Sequence, residues 1–498
     1  MIASLKPYPA MKDSGVEWLG EIPEHWEVSP GRSCFYEKKE SNVGMVEKTV
    51  LSLSYGRIVV KLEKNLRGLV PESFETYQVV DPGDIICLPT DLQNDHTSLR
   101  FGISNDRGII TSAYMCFGTQ DLLDHRFGYL LLHAYDLKKV FYGLGSGLRQ
   151  NLSWEDFKYL TFVLPSLPEQ AAIVRYLDYV DRRVRRLVRA KQKLIKLLEE
   201  QKQAIISGLV TGKFEVRKVK GEDGKEHLHL TPRPSHLMKP SSVEWLSDVP
   251  EHWEVWQIGH FSHVGNESTP SRGNSTYWIG GDYPWLNSAY ANQEEITEAD
   301  QFVASTALRE CHLPVVPARS VLVAITGQGK TRGKAAVLLI EATINQHLAF
   351  ITPRPDIASP DYLRLALHGA YTQLRSISED SGSTKGALTC AALSHFRLAI
   401  PPIDEQVMIL KAVGDDTKIS SAAIGRTRRE IELLREYRTR LIADVVTGKL
   451  DVREAAARLP EELDESDLMD DIEEQDKDKE ETDGADMTMT PEKAHHAD

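Results

Sequence analysis

The chain has 498 residues, 41% of them apolar and 27% charged, a balance typical of folded proteins and a length that exceeds one hydrophobic core. No apolar run approaches the ~20 residues of a membrane-spanning helix, which excludes that class of protein. The five scattered cysteines form neither a CxxC pair nor a disulfide framework, and the first residues lack a signal-peptide pattern. We therefore expect a cytoplasmic protein.

The net charge of −14 lies in the carboxyl-terminal tail. Residues 461–498 carry 17 acidic and 3 basic side chains, so the rest of the chain is neutral overall. Such a dense acidic segment buries too little apolar surface to offset the entropy of ordering, which predicts an acidic disordered tail over 454–498. The charge of the remaining chain neither favours nor excludes a nucleic-acid ligand.

Two segments of the chain occur twice. The lead segment, residues 14–28 (SGVEWLGEIPEHWEV), returns at 241–255 with 11 of 15 positions identical and an offset of 227. A second segment, residues 164–217, returns without a gap at 400–453 with an offset of 236. The residues between these repeats share little similarity. The pattern predicts two halves with a common architecture and different specificities.

Each copy of the second segment predicts a long helix. Apolar residues recur at alternating spacings of four and three, which indicates a coiled-coil seam, and about 40 residues give a rod of roughly 60 Å. We expect the two helices to pack on each other as a ruler with one globular insert at each end. The first seam contains Ile173, Leu177, Val180, Val184, Leu187, Leu194, Leu198 and Ile205, with Lys191 and Gln201 as interruptions. The second contains Ile424, Ile431, Leu434, Leu441 and Val445.

Strand-rich runs in both inserts, such as residues 83–89 and 320–326, indicate mixed domains. The predicted fold class is α+β, with two similar mixed α/β domains joined by two long antiparallel coiled-coil helices in a pseudo-two-fold internal duplication. The predicted boundaries are 1–163 for the first domain, 164–217 for the first helix, 218–240 for a linker, 241–399 for the second domain, 400–453 for the second helix and 454–498 for the tail.

Each insert ends in a Gly/Ser loop that carries a cation, at 143–157 and 379–393. Small residues, exposed amides and a cation suit a DNA phosphate, although an ordinary surface turn has the same composition. Ser153 followed by Asp156 also predicts a helix N-cap. Other donor-rich loop positions are candidates for contacts with bases or phosphates. The candidate set is Tyr55, Arg57, Arg100, Asn105, Arg107, Arg149, Gln150, Gln328, Lys330, Arg332, Lys334 and Lys385.

Two other functions stay open at this point. The run AITGQGKT, Ala324 to Thr331, fits a permissive phosphate-loop pattern and would make the chain an NTPase. Against it, no clear apolar strand ends in an Asp that could hold Mg²⁺. The long helices alone would also suit a scaffold that assembles other proteins. Motifs of adenine methyltransferases, zinc proteases and serine hydrolases are missing from the sequence, so we expect neither a catalytic centre nor a metal site.

The paired VEWL-x₃-PEHWEV segments, the PxxEQ-led helices and the VTGK[FL]-[ED]-VR ends resemble the specificity subunits of type I restriction-modification systems, over residues 7 to about 453. The resemblance implies that residues 29–163 and 256–399 are target-recognition domains that read an asymmetric, bipartite double-stranded DNA target. It also implies two modification subunits, which bring S-adenosylmethionine and methylate adenine, and restriction subunits that use ATP and Mg²⁺. The chain itself is then expected to bind no cofactor.

Overall fold

The computed structural model describes residues 5–54, 56–61, 73–95, 98–144, 150–220, 226–266, 268–313, 315–326, 330–379 and 387–460. The strands are β1 Met11–Asp13, β2 Glu21–Pro23, β3 Glu27–Pro30, β4 Phe35–Lys38, β5 Leu51–Ser54, β6 Arg57–Val60, β7 Gln78–Val80, β8 Ile85–Cys87, β9 Phe101–Ile103, β10 Gly108–Ile110, β11 Met115–Thr119, β12 Thr161–Leu164, β13 Phe214–Lys220, β14 Glu226–Pro232, β15 Met238–Pro240, β16 Asp248–Pro250, β17 Glu254–Gln257, β18 Ser262–Asn266, β19 Tyr283–Leu286, β20 Glu295–Ile296, β21 Gln301–Val303, β22 Ser320–Ala324, β23 Ala335–Leu338, β24 Thr343–Ile344, β25 Leu348–Pro353 and β26 Arg397–Ile400.

The helices are α1 Gly31–Cys34, α2 His125–Leu137, α3 Trp154–Phe157, α4 Leu167–Val210, α5 Ile258–Phe261, α6 Ser305–Glu310, α7 Pro360–Gly369, α8 Tyr371–Glu379, α9 Cys390–His395, α10 Ile403–Val446 and α11 Arg453–Ala457. The two long helices, α4 and α10, each contain 44 residues. They begin and end at equivalent positions, 236 residues apart, as the ungapped repeat predicts.

The chain divides into two compact units, residues 1–192 with 429–498, and residues 193–428. Each unit contains one insert and the amino-terminal part of the long helix that follows this insert. It also contains the carboxyl-terminal part of the other long helix. Both copies of the duplication therefore contribute chain to each unit.

A four-stranded antiparallel sheet lies at the centre of the first unit, in the order β4-β11-β8-β9. Its register pairs Cys116 of β11 with Ile86 of β8 and with Lys38 of β4. All three residues of β8 are buried, and helix α2 contributes Phe127 and Leu131 to the same apolar core. The predicted strand runs in this insert are confirmed.

The second unit repeats this sheet with one strand more, in the order β18-β25-β22-β23-β20. Phe350 of β25 pairs with Leu322 of β22 and with Gly265 of β18. Ile86 and Leu322 are 236 positions apart, so β8 and β22 occupy the same place in the two halves. The second unit also contains a three-stranded sheet, in the order β21-β19-β24. The predicted strand-rich run at 320–326 is confirmed.

The long helices pack on each other in antiparallel fashion within each unit. In the first unit Lys191 forms an ion pair with Glu430 (2.5 Å), and Asp181 pairs with Arg438. In the second unit the Arg428 guanidinium lies 3.0 Å from a Glu199 carboxylate oxygen. Residue numbers of the partners on α10 therefore decrease as those on α4 increase, which defines an antiparallel pair.

The seam of α4 differs from the predicted one at its centre. Leu187 and Leu194 are 46% and 45% exposed, whereas Val188 and Ile195 are half-buried and continue the alternating spacing from buried Val184. The difference arises because Lys191 occupies a seam position, with its alkyl chain along the seam and its ammonium on Glu430. The prediction treated this cation as an interruption. The predicted stripe of α10 is confirmed, since each of its residues is buried or half-buried.

Much of the described part of the segment expected as a linker, 218–240, forms strands. Strands β13 and β14 form a hairpin in which Phe214 pairs with Pro232 and Lys220 with Glu226. Strand β15 then pairs with β16 of the second lead segment. Beyond α10, the chain forms the short helix α11, and residues 461–498 of the predicted tail lie outside the described residues.

A buried glutamine joins each long helix to its insert. The Gln170 amide donates to the carbonyls of Leu122 (2.9 Å) and Pro165 (2.8 Å), and its oxygen accepts from the Asp124 N–H (2.8 Å). Asp124 is the N-cap of α2. Gln406 makes the same three bonds in the second unit, with the carbonyls of Ile357 and Pro401 and with the N–H of Ser359, which caps α7. Both glutamine residues are fully buried.

The preceding glutamate binds the histidine of the lead segment. Glu169 accepts from Tyr8 (2.8 Å) and contacts His25 Nε2 (2.9 Å). In the second unit Glu405 contacts His252 Nε2 (2.8 Å) and accepts from the indole N–H of Trp253 (2.9 Å). The EQ dipeptide therefore fixes the lead segment, the helix and the insert in one place.

The VTGK turn at the end of each long helix closes on the lead segment in the same unit. Gly448, with φ +78°, lies against Pro23 and Trp26, and an added Cβ would approach Pro23 to 2.3 Å. Gly212, with φ +74°, lies in the same way against Pro250. Glycine is required at both positions by the left-handed conformation and by the close approach. The turn that ends one copy thus packs on the lead segment of the other copy.

We predict that Gln170→Leu weakens the first unit alone. The substitution leaves two carbonyls and one N–H buried without partners, a cost on the order of 3 kcal/mol. Hydrogen exchange measured by mass spectrometry should then accelerate at the start of α2 and α4, because exchange reports local opening. Gln406→Leu should produce the same change at α7 and α10. Gln201→Leu, at an exposed position on α4, is the control. Unchanged exchange in both variants would contradict this role of the glutamine.

Candidate nucleic-acid interface

Three segments of the second unit meet where strand β22 ends. The Ile325 N–H donates to the carbonyl of His347 (3.0 Å), and the Ile325 carbonyl accepts from the Leu388 N–H (2.8 Å). The loop after β22, the turn before β25 and the end of the Gly/Ser loop therefore lie side by side. We call the described residues 325–326, 330–334, 345–347 and 387–388 the second loop cluster.

The first unit has the same arrangement where β8 ends. The Leu152 N–H donates to the Pro89 carbonyl (2.8 Å). Pro89 and Ile325 are 236 positions apart, as are Leu152 and Leu388, so one backbone hydrogen bond recurs in both units. The turn of the β5–β6 hairpin lies beside this loop, since a Cβ on Gly56 would be 3.0 Å from that of Leu99. We call the described residues 54, 56–57, 88–95, 98–99, 144 and 150–152 the first loop cluster.

A helix cap fixes the end of each Gly/Ser loop. The Ser153 hydroxyl accepts from the Asp156 N–H (3.3 Å), and the Asp156 carboxylate accepts from the Ser153 N–H (3.1 Å). The predicted N-cap is therefore confirmed, as a complete capping box. Thr389, the equivalent residue, accepts from the Ala392 N–H (3.0 Å) and caps α9. Both loops are thus held at the same point.

Arg100 is a structural residue rather than a surface donor. It is 1% exposed, and its Nε donates to the Tyr142 hydroxyl (3.1 Å). Its remaining donors reach four backbone carbonyls of the loop that it follows, those of Leu88, Thr90, Asp91 and Asp95. All five N–H groups of the guanidinium are therefore in use. The expectation that Arg100 contacts DNA is not supported by this geometry, because Arg100 holds the first loop cluster from inside.

The cations of the second loop cluster differ in exposure. Lys330 is exposed, and its carbonyl accepts from the Tyr371 hydroxyl (2.8 Å). Lys334 is half-buried and donates to the Asn292 side-chain oxygen (3.0 Å). Arg332 is 4% exposed, so it does not present its guanidinium to a ligand as the sequence suggested. Lys330 and Lys334 remain the predicted contacts of this loop.

Other candidates also belong to the two clusters. Arg57 is exposed at the start of β6, beside the hairpin turn of the first loop cluster. Gln150 is half-buried with φ +45°, and its carbonyl accepts from the Leu92 N–H (3.3 Å). Four further candidates lie outside the described residues: Tyr55, Arg149, Gln328 and Lys385.

Asn105 and Arg107 lie at the opposite end of strand β8. They follow Ser104, which exchanges backbone hydrogen bonds with Gly83 and Asp84 just before β8 begins. Both residues are exposed. The structure therefore separates them from the first loop cluster.

An ion-pair network surrounds Arg107. Its guanidinium pairs with Asp81, and Lys38 reaches Asp81 (2.5 Å) and Asp84 (2.7 Å). Burial acts to lower the pKa of Lys38, but its hydrogen bonds to the two carboxylates outweigh burial and raise the pKa above its ordinary value. The hydrogen bond from Lys38 in turn lowers the pKa of Asp81. This network stabilises the sheet edge, and it already uses part of the hydrogen-bonding capacity of the Arg107 guanidinium.

The phosphate-loop alternative is wrong. Strands β22 and β23 are antiparallel neighbours, and the residues between them connect the two strands. The Gly333 N–H donates to the Ala324 carbonyl (2.8 Å) and the Ala324 N–H to the Lys334 carbonyl (3.0 Å). A phosphate loop needs a helix after its lysine, so that the helix N-terminus faces the phosphates. Here a strand follows instead.

Polar side chains that the sequence reasoning did not select also reach the second loop cluster. His347 Nδ1 lies 2.7 Å from the Thr326 hydroxyl, and the Gln346 amide nitrogen lies 3.2 Å from His347 Nε2. Asn292 enters from a separate loop to accept from Lys334. The one available signal for Gln346 and His347 in the sequence is a polar pair between two apolar stretches.

The described residues were also compared with the requirements of a metal site and of a membrane-spanning helix. There, no three His, Cys, Asp or Glu side chains are grouped so that they could hold a metal ion. No helix in those ranges is both long enough and apolar enough to cross a membrane.

A family model described as the type I restriction modification DNA specificity domain matches residues 84–197 and 250–432, more than half of the chain. A solved chain from work on complex assembly and conformational transition of the type I R-M system is 16% identical, with a TM-score of 0.61, over 86% of this chain and 99% of that one. This similarity shows a shared fold.

Two other solved structures are similar at lower scores. The HsdS subunit from Thermoanaerobacter tengcongensis is 15% identical, with a TM-score of 0.45, over 86% of this chain and 98% of its own. The type I restriction-modification S subunit from M. genitalium is 14% identical, with a TM-score of 0.33, over 84% and 96%.

We predict that Arg100→Met opens the first loop cluster. The carbonyls of Leu88, Thr90 and Asp95 lose the hydrogen bonds that the guanidinium donates, whereas that of Asp91 keeps the bond from the Asp95 N–H. The loss should cost about 3 kcal/mol locally and expose residues 88–95 to limited proteolysis. Arg107→Met is the matched control, because Arg107 is 56% exposed and such ion pairs contribute less than about 1 kcal/mol. Equal proteolysis rates in the two variants would show that Arg100 does not hold the loop.

Proposed function

This chain belongs to the type I restriction-modification DNA specificity family, and on that premise we propose that it reads a bipartite DNA target through its two loop clusters. Membership confirms the resemblance of the duplicated motifs. Each loop cluster reads one half-site in the proposal, and the two half-sites differ. The target is then asymmetric, with an unspecified spacer between its parts.

The observation that carries the proposal is that the same backbone arrangement recurs in both units, whereas the side chains of its loops differ. The bond between Leu152 and Pro89 recurs between Leu388 and Ile325, so both inserts present loops from the same place on the same sheet. The side chains on these loops differ between the units. Equivalent surfaces with different donors suit two different base sequences, because base edges are read by side chains.

The chemistry belongs, in this proposal, to partner subunits. Two modification subunits would bring S-adenosylmethionine and methylate an adenine that is flipped out of the duplex. Restriction subunits would add ATP and Mg²⁺ for cleavage. The chain itself then needs neither cofactor nor catalytic centre, and it acts in the cytoplasm, where its DNA target lies.

The contacts divide by type. Lys330, Lys334 and Arg57 are proposed to bind phosphates, as are Arg149 and Lys385 on the Gly/Ser loops. Tyr55, Gln150 and Gln328 are proposed to lie near base edges. Asn105 and Arg107 would touch DNA only if it extended past the opposite end of β8.

The direct test is methylome sequencing of a strain that carries this chain with its modification subunits. A methylated bipartite motif should appear with the chain and disappear without it. Methylation that does not depend on the chain would favour the remaining alternative, a scaffold whose helices only assemble other proteins.

We predict that the helices set the spacer. Deleting one heptad from each, residues 187–193 and 423–429, preserves the spacing of the seam and shortens the rod by about 10 Å. The spacer of the methylated motif should shrink by about three base pairs, since B-DNA rises about 3.4 Å per pair. Both half-sites should stay the same. An unchanged spacer, or altered half-sites, would contradict the role of the helices.

We predict that Lys330→Ala combined with Lys334→Ala weakens binding to all sequences alike. Each lost phosphate contact should reduce the slope of log affinity against log salt by about 1. Fluorescence anisotropy over a salt series measures both quantities. Arg107→Ala serves as the control and should leave the slope unchanged. Arg107 lies in the first unit, at the end of β8 that faces away from the first loop cluster. A change of base preference instead of slope would assign the lysines to base reading.

A further inference from the structure

We propose that Gln346 reads an adenine in the half-site of the second unit, as a base-contacting residue positioned by three neighbouring side chains. The inference rests on the proposed function, since it requires that the second loop cluster meets DNA. It assigns one base type to one side chain that the sequence did not single out.

The turn that carries Gln346 is fixed by its backbone. Asn345 is buried, and its N–H donates to the Leu286 carbonyl (3.0 Å). The Asn345 side-chain oxygen accepts from the His347 N–H (3.0 Å). The His347 carbonyl accepts from Ile325 at the centre of the second loop cluster. Between these anchors the side chains of Gln346 and His347 are exposed.

A chain of hydrogen bonds sets the orientation of the Gln346 amide. The Thr269 hydroxyl donates to Gln346 Oε1, and the Gln346 amide nitrogen lies 3.2 Å from His347 Nε2. Because an amide nitrogen can only donate, the ring Nε2 accepts. The proton of the neutral ring is then on Nδ1, which donates to the Thr326 hydroxyl (2.7 Å). The four side chains come from three segments, so the amide is held from both sides.

The oriented amide keeps one donor and one acceptor for a ligand. Within the described part of the chain, its second N–H and the second lone pair of Oε1 have no partner. Both groups lie in the plane of the amide. Adenine offers the complementary pair in the major groove, N7 as acceptor and N6–H as donor, and glutamine binds both at once. Guanine offers two acceptors there and does not match.

The first unit does not repeat this constellation. Strand pairing makes Phe117 of β11 equivalent to Ile351 of β25, because both pair with equivalent residues of β8 and β22. Counting back along the strands places Ser112 and Ala113 where the second unit has Gln346 and His347. The first unit therefore lacks the amide, and the adenine contact is specific to one half-site.

The test selects bound duplexes from a library randomised over the target, with the complete complex of this chain and its modification subunits. Gln346→Ala should relax one position in one half-site, where the wild-type complex prefers adenine by roughly 5- to 150-fold. Gln346→Glu should move the preference at that position from adenine to cytosine, because a carboxylate accepts from the cytosine amino group. Every other position should keep its base.

Two variants test the positioning by neighbours. Thr269→Val and His347→Phe remove one support each and should weaken the preference at the same position, without a new base being preferred. Ser112→Ala in the first unit is the matched control and should leave that position unchanged. A thermal unfolding midpoint equal to that of the wild type establishes that the fold of each variant is intact.

The outcomes separate the inference from the proposed function. A wild-type complex without any bipartite preference would overturn the proposed function itself. If the wild type has such a preference, an unchanged preference in Gln346→Ala overturns the adenine contact. A uniform loss of affinity at all sequences also overturns it, because it would make Gln346 a phosphate contact. Relaxation at a position that prefers another base overturns the assignment to adenine.

Discussion

The structure depends on a fully buried amide at the start of each long helix. Gln170 and Gln406 satisfy two carbonyls and one N–H that would otherwise be buried without partners. The N–H belongs to the residue that caps the first insert helix, so one side chain sets the direction in which the insert leaves the rod. Glutamate could not replace it, because a carboxylate has no donor for the two carbonyls. This explains why the dipeptide EQ occurs in both copies of a duplication whose inserts differ.

The frame could be predicted from the sequence because its determinants are local or repeated. The 44-residue helices follow from apolar periodicity and from an ungapped repeat. The capping box at Ser153 follows from two residues three positions apart. The seam was displaced at Val188 because a lysine can occupy a coiled-coil position when a glutamate lies opposite, and the partner helix is not visible in one stretch of sequence. The hairpin at β13 and β14 was missed although Leu228 and Leu230 alternate with histidines, because these short runs lie among charged residues in a segment that was expected to be a linker.

The candidate surface was less predictable, since its members come together through sheet topology. Arg100 and Arg107 look alike in the sequence and are seven positions apart, but strand β9 separates them to opposite ends of β8. One ends buried with every donor occupied, and the other ends exposed. Gln346 gave only a weak signal, because the bonds that orient its amide involve Thr269 and, through His347, Thr326, which are distant in sequence. The sequence identifies side chains that can donate hydrogen bonds. Whether they can contact DNA depends on whether those donors are already bonded within the protein.

The turn at Gly448 has a consequence for how the chain is made. The first unit is closed by residues that follow α10, since Gly448 packs on Pro23 and Trp26 and the buried residues Leu441 and Val445 complete its core. Synthesis proceeds from the amino terminus, and domains generally fold as they emerge. Here the unit that is translated first acquires its last core residues from the end of the chain. A ribosome that stops before residue 428 therefore releases a protein in which neither unit is complete, and the first unit stays incomplete until α10 and the turn at Gly448 have been made.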